Sequence, residues 1–420
     1  MKLTKIALTC LVATGIAAPQ IAFADDSFEF HGYAIFGVNY EKDNNEVIDA
    51  KDGVSDDDIY EVGKLGNQAS GGEFLFLKKL EGENGTKWDI GVMYENWGWG
   101  TGLKQAWAGA SNVFESQPNA YVWAGRRFNA RYLQNLNDYK AIWADGQGAG
   151  VSGVDLGFAN LDLSFVQTGQ DGINNTNSGF FAGTSKLSDI KLSDDVSLDL
   201  IAHYGFTNNS VDDNAKAAAA DAQTAWDNGA TDNTFAHQDA VAAGATRPGD
   251  AGEVEDAYIL AAVVKAWNQK LLVRYSDNAT SDVLNRQYGY LHGSRTYVSL
   301  EGGRALGDSL SVDYLLGYTA TDFDDATTAD TNAANAIVRP MYQWNDIHST
   351  WLEAGYSVVD FDGDQEENEA YKVTLSQNIA IGGVAWSRPQ LRFYVTAGEE
   401  TNNGVTEHPV IAGAAFEAWW

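Results

Sequence analysis

Among 420 residues there is one cysteine, Cys10, and there are six prolines. Cys10 lies in the N-terminal stretch, so no disulfide braces the rest of the chain. Its stability must come from backbone pairing and burial. Basic residues are few: 27 Lys and Arg against 58 Asp and Glu give a formal charge of −31. Nucleic-acid binding needs a basic face to neutralise phosphate, and this balance argues against it. Beyond the N-terminus no run of ~18 apolar residues exists, which excludes a transmembrane helix. The six histidines show no H-x-x-x-H and no metal-like spacing. "GQGAG" (Gly146 to Gly150) lacks the Lys-Ser/Thr that a phosphate loop needs. These absences point away from an enzyme and away from any cofactor.

What is present is a leader, many glycines and many rings. Lys2 and Lys5 precede an apolar run from Ile6 to Ala18, and Ala22-Phe23-Ala24 follows. This pattern predicts a secretory signal over 1–24, removed to leave one domain over 25–420. The apolar run is shorter than the ~20 residues a membrane anchor needs. Glycine (43) and aromatics (12%) fit strands, tight turns and aromatic surfaces rather than long helices. A secreted protein, a periplasmic one and an outer-membrane β-barrel all remain open, since a barrel hides its membrane signal in alternation.

Alternation dominates. "WDIGVMYE" puts Trp88, Ile90, Val92 and Tyr94 on one face. "VSLDLIAHYGF" sets Val196, Leu198, Leu200, Ala202 and Tyr204 against Ser197, Asp199, Ile201 and His203. "LSVDYLLGY" sets Leu310, Val312, Tyr314, Leu316 and Tyr318 against Ser311, Asp313, Leu315 and Gly317. Each is a period-2 strand with one wetter side. Rings closing the apolar faces suit the interfacial girdles of a barrel, although a sandwich with aromatic core ends gives a similar pattern. Long external loops are expected near 41–64, 207–255 and 322–336, because a compact domain would place them only at cost.

Several motifs carry a family resemblance. "FEFHGYAIFGV" opens the exported part. "KLGNQ", "YVWAGRRFNARY", "GQGAGV", "IVRPMYQW", "IHSTWLEAGY", "YKVTLSQNIA" and "WSRPQLRFYVT" follow, and "EAWW" ends the chain. In this order and spacing they resemble the maltoporin, or sugar-porin, family. The resemblance implies an 18-stranded antiparallel barrel in the outer membrane, a homotrimer, and diffusion of maltose and maltodextrins along an aromatic slide and a polar track.

Carried over by motif, the slide implied is Tyr33, Phe74, Trp267, Trp386 and Trp419, with Trp97 or Trp99 reaching in from a neighbouring subunit. The polar track implied is Lys64, Lys104, Arg131 and Asp138, with Tyr139 or Lys140 at the constriction. Rings cover the apolar faces of a sugar, and ionised groups exchange strong hydrogen bonds with its hydroxyl rim. For any single ring a girdle or packing role is the plain alternative; for Arg131 and Asp138 it is a structural ion pair. Lys64 and Lys104 replace arginines and lose the planar fork. Ile35, Phe76 and Leu133 stand where the family has an arginine, a glutamate and an aspartate. Those departures open a second reading, a general or other-sugar porin with relaxed specificity; a secreted all-β carbohydrate-binding protein is the third.

The expected partners are an oligosaccharide, further copies of the chain, outer-membrane lipid and lipopolysaccharide, and the barrel-assembly machinery. Clustered aspartates in 41–64 raise the option of a structural Ca²⁺ site. Alternation sends Trp419 to the lumen and Trp420 to lipid.

Overall fold

A computed structural model describes residues 28–41, 48–54, 58–67, 70–97, 100–168, 179–207, 256–284, 291–324, 328–382 and 387–420. The expected signal at 1–24, the loop 207–255 apart from Thr207, Trp99 and Trp386 lie outside them. The strands begin with β1 (Phe28–Glu41), β2 (Gly71–Glu81), β3 (Lys87–Asn96), β4 (Thr101–Ser111) and β5 (Tyr121–Arg127). A short ribbon follows, β6 (Tyr132–Leu133) and β7 (Lys140–Ile142). Next come β8 (Gly146–Asp155), β9 (Asn160–Thr168), β10 (Phe180–Lys191), β11 (Val196–Thr207), β12 (Ala257–Ala266) and β13 (Gln269–Asp277). The rest are β14 (Gly293–Ala305), β15 (Leu310–Phe323), β16 (Thr331–Gln343), β17 (His348–Phe361), β18 (Asn368–Ala380), β19 (Gln390–Asn402), β20 (Val405–Glu407) and β21 (Val410–Trp419).

All but β6, β7 and β20 form an 18-stranded antiparallel barrel. The seam joins β1 to β21, with Tyr33 opposite Trp419 and Glu41 opposite Ile411. Gly32 and Trp420 exchange backbone hydrogen bonds at 3.2 Å, which closes the ring. A closed ladder pairs each strand on both sides over most of its length, the condition for spanning a bilayer without helices. Short turns join β2 to β3, β8 to β9, β10 to β11 and β12 to β13, and both described termini lie at that end. That end is the periplasmic one.

The alternating faces point as their composition requires. Trp88, Ile90, Tyr94, Leu200, Tyr204, Leu316 and Tyr318 are exposed on the outer wall. Asp199, His203, Arg274, Ser276 and Arg295 are buried on the inner side. Lipid solvates the first set, and the lumen and its loops partner the second.

Two connections fill part of the lumen. The loop after β1, called L1 here (48–54 and 58–67 as described), does not stay outside as an external loop. Ile48, Ala50, Ile59, Val62 and Leu65 are at most 1% exposed. Inward residues of the wall hold it: Glu353 Oε1 accepts from the Leu65 amide at 2.8 Å, and Lys372 Nζ donates to the Leu65 carbonyl at 2.7 Å. The loop after β5, called L3 (128–145), carries the β6–β7 ribbon and packs on L1, with the Lys64 amide donating to the Leu136 carbonyl at 2.7 Å. One apolar cluster, including Ile59, Tyr60, Tyr139, Ile142 and Tyr297, joins both loops to the wall. Of the expected loop 322–336, only 324–330 connects strands; β16 begins at Thr331.

Candidate functional site

The lumen beside the seam gathers several of the expected residues. Tyr33 on β1 and Trp419 on β21 are cross-strand partners on the inner face. The Tyr33 ring lies 6.0 Å from the Trp97 ring, centroid to centroid. Tyr33 OH donates to Glu417 Oε1 at 3.1 Å. Arg388 lies 4.3 Å above the Trp419 ring and donates to Glu417 at 2.7 Å. Lys64 on L1 stands 5.9 Å from the Tyr33 ring centre and pairs with Asp138 on L3 at 3.1 Å. Rings, two cations and two carboxylates thus share one stretch of lumen. That set can cover a sugar's apolar face and bond its hydroxyls.

Other expected positions move. Trp97 stands over Tyr33 of its own barrel. Phe74 faces outward: its strand partners are Gly32 and Tyr94, and its ring lies 6.1 Å from Trp420. The inward residue beside it is Glu73. Phe76 shares the outer face with Phe28 and Phe30, at 6.2 and 5.2 Å. Its difference from the family therefore does not touch the pore. A one-residue offset in a strand exchanges faces, which is why counting along the motif misplaced both. Trp267 leaves the slide as well. Ala266 pairs with Gln269, so Trp267 and Asn268 alone form the turn, both at positive φ (49° and 65°). That geometry holds Trp267 at the periplasmic rim, 73% exposed.

The track divides similarly. Lys104 pairs with Glu95 at 3.0 Å. Arg131 makes a two-pronged ion pair with Asp145, its Nε donating at 2.9 Å, and stacks 3.2 Å above Phe128. Both ends are largely buried, so this pair braces the root of L3. Tyr139 is 2% exposed and turned to the wall, where Arg274 donates to its hydroxyl at 2.7 Å and Tyr297 meets its ring edge-on. It is therefore not the constriction tyrosine. Leu133, Asp138 and Lys140 form the exposed side of the ribbon. Ile35 faces inward at 4% exposure. Among the described residues no cluster of His, Cys, Asp or Glu could hold a metal.

Some lumen residues were not singled out by sequence reading. Glu353 on β17 takes Arg339 Nε at 2.7 Å and lies 3.7 Å from Lys372 Nζ, all of them buried. Arg295 pairs with Asp52 of L1 at 2.6 Å. Trp107, Tyr121 and Trp123 line the wall under L3. The available signal was inward parity on strands already recognised. In L1, burial of Asp49 lifts its carboxyl pKa from 3.8 to about 6, and nearby Glu400 adds to this against the pull of Lys51.

The sequence pattern of the family described as LamB porin matches residues 28–420. A protein named maltoporin from Vibrio cholerae serotype O1 is 27% identical, covering 98% of this chain and 99% of its own. A second from a classical Ogawa strain of that serotype is also 27% identical, covering 98% of each. Among solved structures, Pseudomonas aeruginosa OccK3 (OpdO) shares the fold at TM-score 0.50 and 8% identity, covering 94% of this chain and 96% of its own. The secreted all-β alternative falls with these findings. The chain belongs to the LamB porin family, a non-enzymatic β-barrel channel of the Gram-negative outer membrane.

Proposed function

We propose that the channel passes maltose and maltodextrin-type oligosaccharides by facilitated diffusion. The observation that carries this is the cluster beside the seam, where Tyr33, Trp97 and Trp419 stand among Lys64, Asp138, Arg388 and Glu417. A transport site must bind weakly enough to release. Partly covered rings and an ion pair as open as Lys64–Asp138 meet that need, since each contributes little alone. The maltoporin name of the Vibrio relatives supports the substrate class. Trp99, Trp386, Lys104 and Lys140 remain part of the proposed path, with Arg131 as its brace. In planar bilayers, maltodextrins should reduce the conductance in a saturable way; unaltered conductance at high sugar would sink the reading.

A less selective sugar porin is the second reading. Ile35 and Leu133 are apolar where a track would be polar, and Tyr139 is turned away from the pore. It predicts similar block by unrelated oligosaccharides of equal length.

We also propose a homotrimer. On β1 the pairing with β2 stops at Ile35, while residues 36–41 pair only with β21. Val38 and Tyr40 are each 72% exposed there, an apolar edge suited to a second copy. Mass measurement in detergent tests this; a single-chain mass would overturn it.

A further inference from the structure

A second aromatic surface lies on the periplasmic side of L3, away from the seam. Trp107 of β4 and Tyr121 and Trp123 of β5 point into the lumen. Each ring lies flat over a glycine of a neighbouring strand: a Cβ on Gly91 would strike Trp107, one on Gly109 would strike Tyr121, and one on Gly150 would strike Trp123. The panel is fixed edgewise too. Trp107 Nε1 donates to Tyr121 OH at 3.2 Å, which donates to Asp89 at 2.6 Å. Rings held this way present a face to the lumen.

Arg127 rests over that face, 5.5, 5.7 and 5.0 Å from the three ring centres. Its Nε donates to the Phe128 carbonyl at 3.3 Å. No described residue accepts from its two terminal nitrogens. Six other lumen cations, Lys64, Lys104, Arg131, Arg295, Arg339 and Arg388, each face a carboxylate, and the buried Arg274 is held by the Tyr139 hydroxyl and the Ala141 carbonyl. An arginine with an open fork beside flat rings is built for a planar anion attached to an apolar face.

We propose that Arg127 and the Trp107–Tyr121–Trp123 panel form a second solute site, on the periplasmic side of L3, for oligosaccharides bearing a carboxylate. The carboxylate takes the two free nitrogens of Arg127, and the panel takes the adjoining sugar ring. The proposal rests on the reading of the chain as a sugar channel and extends its substrate class to uronate-containing chains.

The test uses the full barrel in planar bilayers, with a neutral glucose trimer and a uronate trimer as probes. The quantity read is the ratio of their half-blocking concentrations. In the parent protein the uronate should block at the lower concentration. R127Q should lower its advantage about threefold, the size of a half-exposed ion pair, with neutral block unchanged. R127K, which keeps the charge without the fork, should lower it by a smaller step and serves if R127Q assembles poorly. R304Q removes an exposed cation at the periplasmic end of β14 and should leave the ratio alone. The proposal is overturned if the parent shows no preference, if R127Q or R127K keeps the parent ratio, or if R304Q lowers it equally. Failure of the neutral trimer to block at all would instead count against the sugar-channel reading.

Discussion

Two sides of the lumen use the same alternation to different ends. On β14, β17 and β18 inward charges are spent on L1. Arg295, Glu353 and Lys372 are sealed from water and bonded to Asp52, Leu65 or Gly63. Beside β1 and β21 the lumen stays partly open, and Lys64, Asp138 and Trp419 face the channel, with Arg388 and Glu417 packed behind the Trp419 ring. An inward polar residue is therefore not a solute contact by parity alone. It becomes one where no loop lies over it. Burial decides the energetics as well: a sealed charge depends heavily on its partner, whereas an open pair contributes little.

The largest break in this contrast should come from the sealed side. Glu353→Ala leaves Arg339 buried without its carboxylate, removes one of the two carboxylates acting on Lys372, and frees the Leu65 amide. Removing one partner of a buried pair costs about 3–5 kcal/mol. Heat-induced unfolding should occur at a lower temperature, and open-channel conductance should rise as L1 loosens. A variant with parent stability and conductance would contradict the assignment of this wall to loop anchoring.

On the open side, Trp419→Ala should weaken maltodextrin block by about fivefold, near 1 kcal/mol, the range for one aromatic contact. Barrel yield should be spared. Trp420→Ala should do the reverse, because its ring packs outside on Phe30 and Phe74 at 5.4 and 6.1 Å. Counting folded barrels and measuring block on the same preparations separates the two; equal effects on both would erase the inner–outer division.

Asp49 offers a smaller handle on the sealed side. Its folded pKa of about 6 lies above its ordinary 3.8, so the docked loop binds the proton more tightly than the released one. Docking should strengthen as pH falls from about 6 to about 4 and should be flat above that window. Protease cleavage within L1 at pH 7 and pH 5 reads this directly. Asp49→Asn should remove the difference; a variant that retains it would show that another group is responsible. The smallest effect belongs to Trp267→Ala. Its rim position predicts sugar block within error of the parent, and a clear loss of block would return it to the path.

The barrel was legible because lipid demands an apolar outer face from every strand, so "VSLDLIAHYGF" and "LSVDYLLGY" announce their orientation. Tyr33 and Trp419 rest on the motif resemblance, and both lie on the inner face, as cross-strand partners. Phe74 and Phe76 were not legible, since β2 carries apolar residues on both faces from Phe74 to Leu77 and its parity cannot be read. Trp267 depended on a turn of only two residues, and Tyr139 on a ribbon that presents alternate sides to the wall and to the pore. The inward course of L1 was hidden most deeply. Its anchors join residues 288 and 309 positions apart in the chain, and no local pattern records such a partner.

The seam has a consequence for how this molecule comes into being. Tyr33 and Glu417 meet across 384 positions. Contacts of such separation are closed late, after much loop entropy has been lost. Until β21 arrives, β1 has an unsatisfied edge that hydrocarbon will not tolerate. The wall therefore cannot be laid down strand by strand in the bilayer as synthesis proceeds. The whole chain must cross the periplasm unclosed, with its apolar faces shielded from one another, and insertion and ring closure become a single committed event.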